Sequence, residues 1–376
     1  MAVLLLVWTR PRGVNFFGDA EVFWGRARDM SLHHLPYRDF LWEFPPLTTP
    51  VLIPAPLVSE RAFVAWFGLV MMAAEYGSLL VLRRGRSRDD ALALTAYWTI
   101  VGLPLAAFTW FRFDFLAVFF ATLGIVAIAP VARFRGQVTA GFAVKLWPVT
   151  LLAAPVLQRR WRSVIVSLTG VGAVVLAWYA FSPSGFREYL RYRRGTGLQA
   201  ESTLGAIRMV MGAPRSVGSG ALVTDAGRFA HADTVAFVLL ALFAAITLAA
   251  AWRRPVAIVP LIGALTTAVM LFSRILSPQY LVWLLPFAAL AWLDGERVGT
   301  IAFAVASLLT TVVIDRYDSF AAGNRFLAAL VVARNVLLLV VGVRLLAMAF
   351  AARRLPDERV AGQPEDPLTD LVAFDL

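Results

Sequence analysis

The sequence AFVAWFGLVMMAAEYGSLLVL at residues 62–82, followed by RRGRSR at residues 83–88, decides the fold. A helix of about 20 apolar residues crosses the hydrocarbon core of a bilayer, and this run has that length. The arginines after it place its end in the cytoplasm, because positively charged loops stay on that side of a membrane. Apolar stretches of this kind recur along the chain. The sequence therefore predicts an all-α polytopic membrane protein with about ten transmembrane helices.

The composition agrees with a membrane protein. Hydrophobic residues make up 60% of the 376 residues, charged residues make up 16%, and the mean hydropathy is +0.72. Soluble domains are roughly 45–50% apolar. The absence of cysteine excludes a disulfide, a thiol nucleophile and a Cys-ligated metal. Arginines that set the topology explain the formal net charge of +11, so we expect no nucleic-acid partner.

The apolar segments and the arginine clusters together predict a topology. Spans are predicted at residues 62–82, 91–110, 113–130, 163–182, 233–252, 255–273, 279–293, 298–314 and 326–349. Residues 1–8 are interpreted as a shortened first helix. The arginine clusters then share one face, at residues 83–88, 133–135, 159–162, 253–254 and 353–354. That face is cytoplasmic by the positive-inside rule, with both termini inside. We expect residues 1–350 to form one membrane domain and residues 351–376 an acidic, disordered cytoplasmic tail.

Residues 138–157 lie between two arginine clusters that share one face, so this segment must enter and leave the membrane on the same side. The sequence predicts a re-entrant helical hairpin with its tip at residues 145–148. Non-helical backbone at membrane depth must be buried in protein or line a cavity, so we expect the tip to face a cavity. Lys145 in this tip is the only lysine of the chain. It is either a lysine that snorkels from a helix end or a functional charge with a partner.

The first outer loop, residues 10–61, carries the acid Asp19. Apolar residues at helical spacing predict an interfacial amphipathic helix over residues 19–30, namely Val22, Phe23, Ala27 and Met30. Asp19 stands at its start, where two roles remain open. It is an N-cap, which Asp fills well, or a carboxylate that faces a surface cavity as a general base. The prolines that follow predict a short kinked segment before the first long span.

Arginines also occur in outer loops, against the positive-inside trend. The loop over residues 183–232 has a cluster of them at Arg187, Arg191, Arg193 and Arg194. Arg274 stands in a short turn at residues 273–280. A guanidinium fits two phosphate oxygens at once, so these arginines are candidate phosphate ligands. The alternative is a face that contacts solvent or lipid headgroups.

Two charges fall inside predicted spans, Glu75 and Arg334. An unpaired charge near the bilayer centre costs several kcal/mol. We therefore expect Glu75 and Arg334 to pair with each other, or one of them to pair with Lys145.

Several blocks of the chain resemble glycosyltransferase family 87. They are Asp-Ala-Glu-Val-Phe at 19–23, Glu-Phe-Pro-Pro-Leu at 43–47, Ala-Val-Lys-Leu-Trp-Pro at 143–148, Arg-Arg-Trp-Arg at 159–162 and Ser-Pro-Gln-Tyr-Leu-Val-Trp-Leu-Leu-Pro at 277–286. The resemblance covers nearly the whole chain in order. It implies an integral-membrane transferase of the GT-C fold in the plasma (inner) membrane of a bacterium. Relatives include polyprenyl-phosphate-mannose-dependent mannosyltransferases.

The resemblance implies that a sugar, most simply mannose, moves from a polyprenyl-phosphate donor to a glycolipid or glycan acceptor at the outer face, with inversion. Asp19 matches the family's general base. We expect substrate contacts from acids, arginines and polar residues of the outer loops and from the hairpin tip, namely Glu21, Arg112, Asp114, Lys145, Arg194, Glu201, Arg274, Gln279 and Tyr280. Membrane lipids are the remaining partners. The lipid-linked sugar is a substrate, so we expect no cofactor and no obligatory metal.

Two other functions stay open. A lipid-linked sugar flippase or transporter is expected to gather its polar groups at the bilayer centre and to carry broken helices and internal repeats. A non-catalytic glycolipid-binding protein is expected to point Asp19 away from any cavity.

Overall fold

The computed structural model describes residues 18–128, 131–195, 197–218, 221–224 and 232–351. The shortened first helix predicted at residues 1–8 and the tail predicted from residue 351 onward lie outside these residues, apart from residue 351 itself. The described chain consists mainly of helices and includes one small sheet.

The helices start and end within a few residues of the predicted spans. In chain order they are α1 Gly18–Ala27, α2 Glu60–Arg83, α3 Arg88–Thr109, α4 Asp114–Val126, α5 Val131–Val144, α6 Ala153–Leu157, α7 Trp161–Phe181, α8 Pro183–Gly195, α9 Thr203–Val210, α10 Ala232–Arg253, α11 Ile258–Phe272, α12 Leu285–Leu293, α13 Val298–Asp315, α14 Tyr317–Ala321 and α15 Arg325–Ala351. Short 3-10 helices lie at Pro46–Leu52, Ala55–Leu57, Trp147–Leu152 and Pro278–Trp283.

Five helices in the described part of the chain are long and apolar enough to cross a membrane. They are Glu60–Arg83, Trp161–Phe181, Thr234–Arg253, Val298–Asp315 and Arg325–Ala351. Shorter apolar helices cover Asp114–Val126, Trp147–Leu157 and Ile258–Phe272. The prediction of an all-α polytopic membrane protein is confirmed, and the total of about ten spans stays a prediction.

The connections between helices lie at two ends of the bundle, and contacts between connections identify these ends. At the arginine end are the connections α2–α3, α4–α5, α6–α7, α10–α11 and α12–α13. Here Arg160 donates to Ile128 O (2.8 Å), and Arg344 of α15 forms an ion pair with Glu296 (2.9 Å). At the loop end are the connections α1–α2, α3–α4, α7–α10, α11–α12 and α13–α15. Here the backbone N–H of Gln199 donates to Arg274 O (3.0 Å).

The helical hairpin predicted over residues 138–157 is present, but its first arm begins earlier, at Val131. That the hairpin enters the bilayer from one side stays a prediction. Helix α5 ends at Val144, and the chain turns back through the 3-10 helix at Trp147–Leu152 into α6. The two arms pack closely, because a Cβ added at Gly141 would lie 2.8 Å from Cβ of Pro148. Glycine is therefore required at residue 141 by the approach of the second arm.

The loop end contains structure that the sequence did not predict. Strands β1 (Leu198–Gln199), β2 (Arg215–Gly218) and β3 (Ala221–Thr224) form an antiparallel sheet in the order β1-β3-β2. The interfacial helix predicted over residues 19–30 is present as α1, which buries Phe23 and Ala27. Val22, another residue of the apolar pattern, is 47% exposed.

The expected pairing of Glu75 with Arg334 is wrong. Glu75 accepts hydrogen bonds from the indoles of Trp98 (3.3 Å) and Trp110 (2.5 Å). Arg334 instead donates to the main-chain oxygen of Glu201 at the loop end (2.7 Å). The reason is depth: at 1.5 Å per residue, Arg334 lies about 14 Å from the start of α15, and Glu75 about 22 Å from the start of α2. The alternative partners proposed for Lys145 are also wrong, because Lys145 binds Asp114.

Candidate functional site

A cavity of about 300 Å³ opens at the tip of the re-entrant hairpin. Its wall includes Lys145 and Trp147 from the tip, Tyr280 and Trp283 from the 3-10 helix before α12, and Phe44 from the first long loop. The expectation that the hairpin tip faces a cavity is therefore confirmed.

Lys145 is held beside this cavity by a buried acid. Its Nζ lies 2.9 and 3.0 Å from the two carboxylate oxygens of Asp114, whose side chain is 0% exposed. Trp283 Nε1 donates to the same carboxylate (2.6 Å). Asp114 lies in the first turn of α4, where the helix dipole favours a negative charge. The hairpin tip thus reaches the loop end of the bundle, the level at which Asp114 begins its helix.

Aromatic rings form a stack on one wall of the cavity. Trp147 and Trp283 stack at a centroid distance of 5.2 Å, and Tyr280 stacks on Trp283 at 4.1 Å. The ammonium of Lys145 lies 4.9 Å from the ring centre of Tyr280, within the range of a cation–π contact. The cavity therefore offers flat apolar faces next to a positive charge.

A second group of charges lies at the loop end, around Arg112. Nε of Arg112 is 3.3 Å from Oδ2 of Asp19, and its Nη1 donates to Phe108 O (2.9 Å). The side chain of Asp19 is 40% exposed and that of Arg112 is 11% exposed. Asp19 lies in the first turn of α1 with its carboxylate against Arg112 and partly open to the surroundings.

Glu201 completes this group and is buried. It is 1% exposed, and neither carboxylate oxygen has a hydrogen-bond partner in the part of the chain that the structure describes. Burial raises the pKa of Glu201 to about 7, against the lowering effect of the charges of Arg334 and Arg112. Tyr317 of α14 also interacts electrostatically with Glu201. We call Asp19, Arg112, Glu201 and Arg334 the acid–arginine cluster.

A packed aromatic core connects the cavity and the acid–arginine cluster. Phe113 stands between Arg112 and Asp114 in the chain and is fully buried. Its ring contacts Phe23 of α1 (5.3 Å between centroids) and Phe44 of the cavity wall (5.0 Å). Asp19 and Lys145 are therefore positioned by one rigid connection, the turn between α3 and α4.

The other predicted site residues are Arg274, Gln279, Glu21 and Arg194. Arg274 is half-buried between Ser273 and Ile275, which both line the cavity. Gln279 and Glu21 are half-buried on their helices. The side chain of Arg194 in α8 lies outside what the structure describes. The roles of all these residues as substrate ligands stay predictions.

Sequence reasoning missed Trp283, Trp147 and Arg334 as parts of the site. Trp147 and Trp283 stand inside the quoted blocks at 143–148 and 277–286, three residues or fewer from Lys145 and Tyr280. That spacing puts Trp283 on the same helical face as Tyr280, which was the available signal. Arg334 was considered only as a partner for Glu75.

The fold and the two groups define a polytopic membrane protein with a polar site at one end of its bundle. The sequence model of glycosyltransferase family 87 matches residues 42–278. The chain belongs to this family and is a membrane glycosyltransferase. No curated protein and no solved structure matches the chain. The matched range contains Arg112, Asp114, Lys145, Glu201 and Arg274. Asp19, Glu21, Gln279 and Tyr280 lie outside it.

Proposed function

We propose that the chain transfers mannose from a polyprenyl-phosphate donor to a glycolipid or glycan acceptor at the outer face of a bacterial plasma membrane. The observation that carries the proposal is the cavity at the hairpin tip. It combines one ammonium, Lys145, with stacked aromatic faces at the end of the bundle where Asp19 is partly open. A phosphate needs the cation, and the apolar face of a sugar ring packs on an aromatic ring.

The reaction is a single displacement with inversion. The acceptor oxygen forms a bond to the anomeric carbon as the bond from that carbon to the phosphate oxygen breaks. The phosphate leaves with the electron pair, and the carboxylate of Asp19 takes the acceptor proton. A general base of this kind contributes about 10²–10⁴-fold to the rate. Asp19 suits the role because its carboxylate lies 3.3 Å from Arg112 and its side chain is still 40% exposed.

Two cations are candidates for the donor phosphate. An ammonium carries three N–H donors, so Lys145 keeps capacity for a phosphate oxygen beyond its bonds to Asp114. Arg274 stands in the chain between Ser273 and Ile275, which line the cavity, and a guanidinium can bind two phosphate oxygens. Leu146 and Val149 at the same tip are 46% and 40% exposed and offer apolar contact to the prenyl tail. Because the phosphate joins the sugar to the prenyl tail, the sugar, the phosphate and the tail would follow in that order from the loop end towards the bilayer.

The distribution of charge favours a transferase over a flippase or transporter. A transporter gathers its polar groups at the bilayer midplane, whereas Asp19, Arg112 and Glu201 lie in or next to connections at the loop end. Asp19 faces Arg112 and is not among the residues that line the cavity at the hairpin tip, so the non-catalytic alternative stays open and is tested by the substitution of Asp19.

The direct test is transfer of radiolabelled mannose from polyprenyl-phosphate-mannose by membranes that contain the chain, followed by thin-layer separation of the lipids. A labelled glycolipid that requires the chain supports the proposal. Labelling only from a sugar nucleotide, or movement of donor across the membrane without transfer, contradicts it. Orientation is tested with single cysteines at Ser184 and Arg84, both exposed and at opposite ends. An impermeant thiol reagent on intact cells should label position 184 and spare position 84.

A further inference from the structure

A surface rich in arginine and tryptophan lies at the arginine end of the bundle, where α7 begins and α10 ends. The indoles of Trp161 and Trp252 are both exposed, and their ring centres lie 6.0 Å apart. The guanidinium of Arg159 lies over the ring of Trp252 at 4.8 Å, within the range of a cation–π contact. Further exposed arginines are next to these tryptophans in the chain, namely Arg162, Arg253 and Arg254. We call these six residues the basic–aromatic surface.

The backbone at Arg159 has a conformation that usually carries glycine. Arg159 has a φ of 55°, in the left-handed region. Its N–H donates to Val156 O (3.0 Å), and the N–H of Arg160 donates to Pro155 O (2.8 Å). These two bonds form a Schellman motif at the end of α6, in which the left-handed residue is usually glycine because a Cβ is strained there. The backbone favours glycine, so the reason for an arginine at this position lies in its side chain.

Neighbouring acids do not balance the positive charge of this surface. The sequence carries no Asp or Glu at residues 115–187 or at residues 234–293. Arg344, at the same end of the bundle, has an ion pair with Glu296 (2.9 Å). Within the described residues, by contrast, none of the four arginines of the basic–aromatic surface forms a salt bridge. An anion that neutralises this surface must therefore come from outside the described residues.

The first turn of α7 adds hydrogen-bonding groups at the same place. The N-cap is Arg160, whose side chain does not cap the helix and donates instead to Ile128 O (2.8 Å). The free N–H groups of a first turn and the positive end of the helix dipole favour a bound phosphate. Ser163 in this turn is buried, and its Oγ has no hydrogen-bond partner among the described residues. The turn that carries Trp161 and Arg162 thus keeps unused hydrogen-bonding capacity.

We propose that the basic–aromatic surface binds the phosphate headgroup of an anionic phospholipid from the surrounding bilayer. A guanidinium binds phosphate oxygens, and exposed tryptophans are typical of the depth at which headgroups lie. The acyl chains have partners as well, because apolar side chains continue along the exposed sides of both helices. These are Ile165 and Leu168 of α7 and Leu242 and Ile246 of α10. The inference is independent of the proposed transfer reaction, because the surface and the cavity lie at opposite ends of the bundle.

Thermal unfolding of the purified full-length chain in detergent tests the proposal. Phosphatidylglycerol, added in mixed micelles, should raise the melting temperature in a saturable manner, because a ligand that binds the folded state stabilises it. Phosphatidylcholine and inorganic phosphate at the same concentration should raise the melting temperature much less. Equal stabilisation by phosphatidylcholine or by inorganic phosphate would overturn the assignment to an anionic lipid headgroup.

Three variants locate the binding. Arg159→Gln should weaken the apparent Kd for phosphatidylglycerol about tenfold, the usual effect of losing one charge-assisted hydrogen bond. Arg159→Gly should weaken it equally, while its melting temperature without lipid should equal or exceed that of wild type, since glycine relieves the left-handed strain. Arg84→Gln removes an exposed arginine of the α2–α3 connection at the same end, and this matched control should bind like wild type. Equal weakening in Arg159→Gln and Arg84→Gln would show a diffuse attraction to net charge and would overturn the site.

An acidic segment of the same chain is the competing occupant of this surface. Residues 357–375 contain six acids, Asp357, Glu358, Glu365, Asp366, Asp370 and Asp375. The end of α15 lies close to the surface, because the N–H of Ala257 donates to Ala349 O (2.9 Å). A chain with these acids changed to Asn and Gln should bind phosphatidylglycerol with the same Kd as wild type. Lipid binding that is found only after this change would assign the surface to the acidic segment and contradict the proposal.

Discussion

The two polar groups of this protein differ in how completely their charges are bonded. At the hairpin tip, Asp114 accepts from Lys145 and from Trp283, and it is fully buried. In the acid–arginine cluster, Asp19 is half-exposed against one arginine, and Glu201 has no hydrogen bond among the described residues. A buried ion pair whose hydrogen bonds are all made stabilises and rigidifies the fold. A charged group with unused hydrogen-bonding capacity can still bind a ligand or a proton. We therefore assign architecture and donor binding to the first group and proton transfer to the second.

The largest expected effect concerns the acid–arginine cluster. Asp19→Asn keeps the shape of the side chain and removes its basicity, so turnover should fall by about 10²–10⁴-fold. Donor binding and melting temperature should stay close to wild type. Asp29→Asn is the matched control, because Asp29 follows the same helix and its side chain is 73% exposed. Transfer by Asp19→Asn at nearly the wild-type rate would move the role of base to Glu21 or another acid.

The next largest effect concerns the Lys145–Asp114 ion pair at the hairpin tip. Lys145→Met removes the cation and leaves the carboxylate of Asp114 buried, which costs about 3–5 kcal/mol of stability. Thermal unfolding in detergent measures the loss. Adding Asp114→Asn should restore most of it, because the amide carries no charge and still accepts from Trp283. If Lys145→Met alone is as stable as wild type, the ion pair is not what holds the hairpin tip.

The same contrast separates what the sequence predicted from what it did not. Span positions follow from local apolar length, and the hairpin follows from arginines on both sides of residues 138–157, so both were predictable. The Lys145–Asp114 pair depends on how far the tip rises, which no local pattern encodes. Glu75 was assigned the wrong partner for the same reason, since depth along two separate helices decides which charges meet. The small sheet has strands of two to four residues, too short to give a periodic signal.

A substitution of Arg274 tests which cation binds the donor phosphate, because the neighbouring residues Ser273 and Ile275 line the cavity. A guanidinium that grips two phosphate oxygens cannot be replaced by lysine, so Arg274→Lys should weaken donor use by roughly 1.5–3 kcal/mol. An interfacial anchor predicts little change, because lysine anchors a helix equally well. Arg316→Lys, an exposed arginine at the same end, is the control. Unchanged donor KM and melting temperature for Arg274→Lys would leave Lys145 as the phosphate ligand.

The smallest expected effect concerns the close approach of the two hairpin arms at Gly141. A methyl group at Gly141 would meet Cβ of Pro148 at 2.8 Å and Cγ at 3.1 Å, and the proline ring cannot rotate away. Gly141→Ala should therefore push the second arm outward and cost about 1–3 kcal/mol, the usual range for overpacking. Gly136→Ala is the control on the same helix, because no atom lies within 4 Å of its added Cβ. Helix propensity alone should make it neutral or slightly stabilising.

The change at Gly141 should also move the ammonium of Lys145. The backbone N–H of Lys145 donates to the carbonyl oxygen of Gly141 (2.9 Å), so a shift of the arm displaces Lys145 with it. Donor KM should rise in Gly141→Ala while kcat, which depends on the proposed base Asp19, changes little. A reduced kcat with an unchanged KM would show that the two groups are not separate, and it would contradict the division of roles between them.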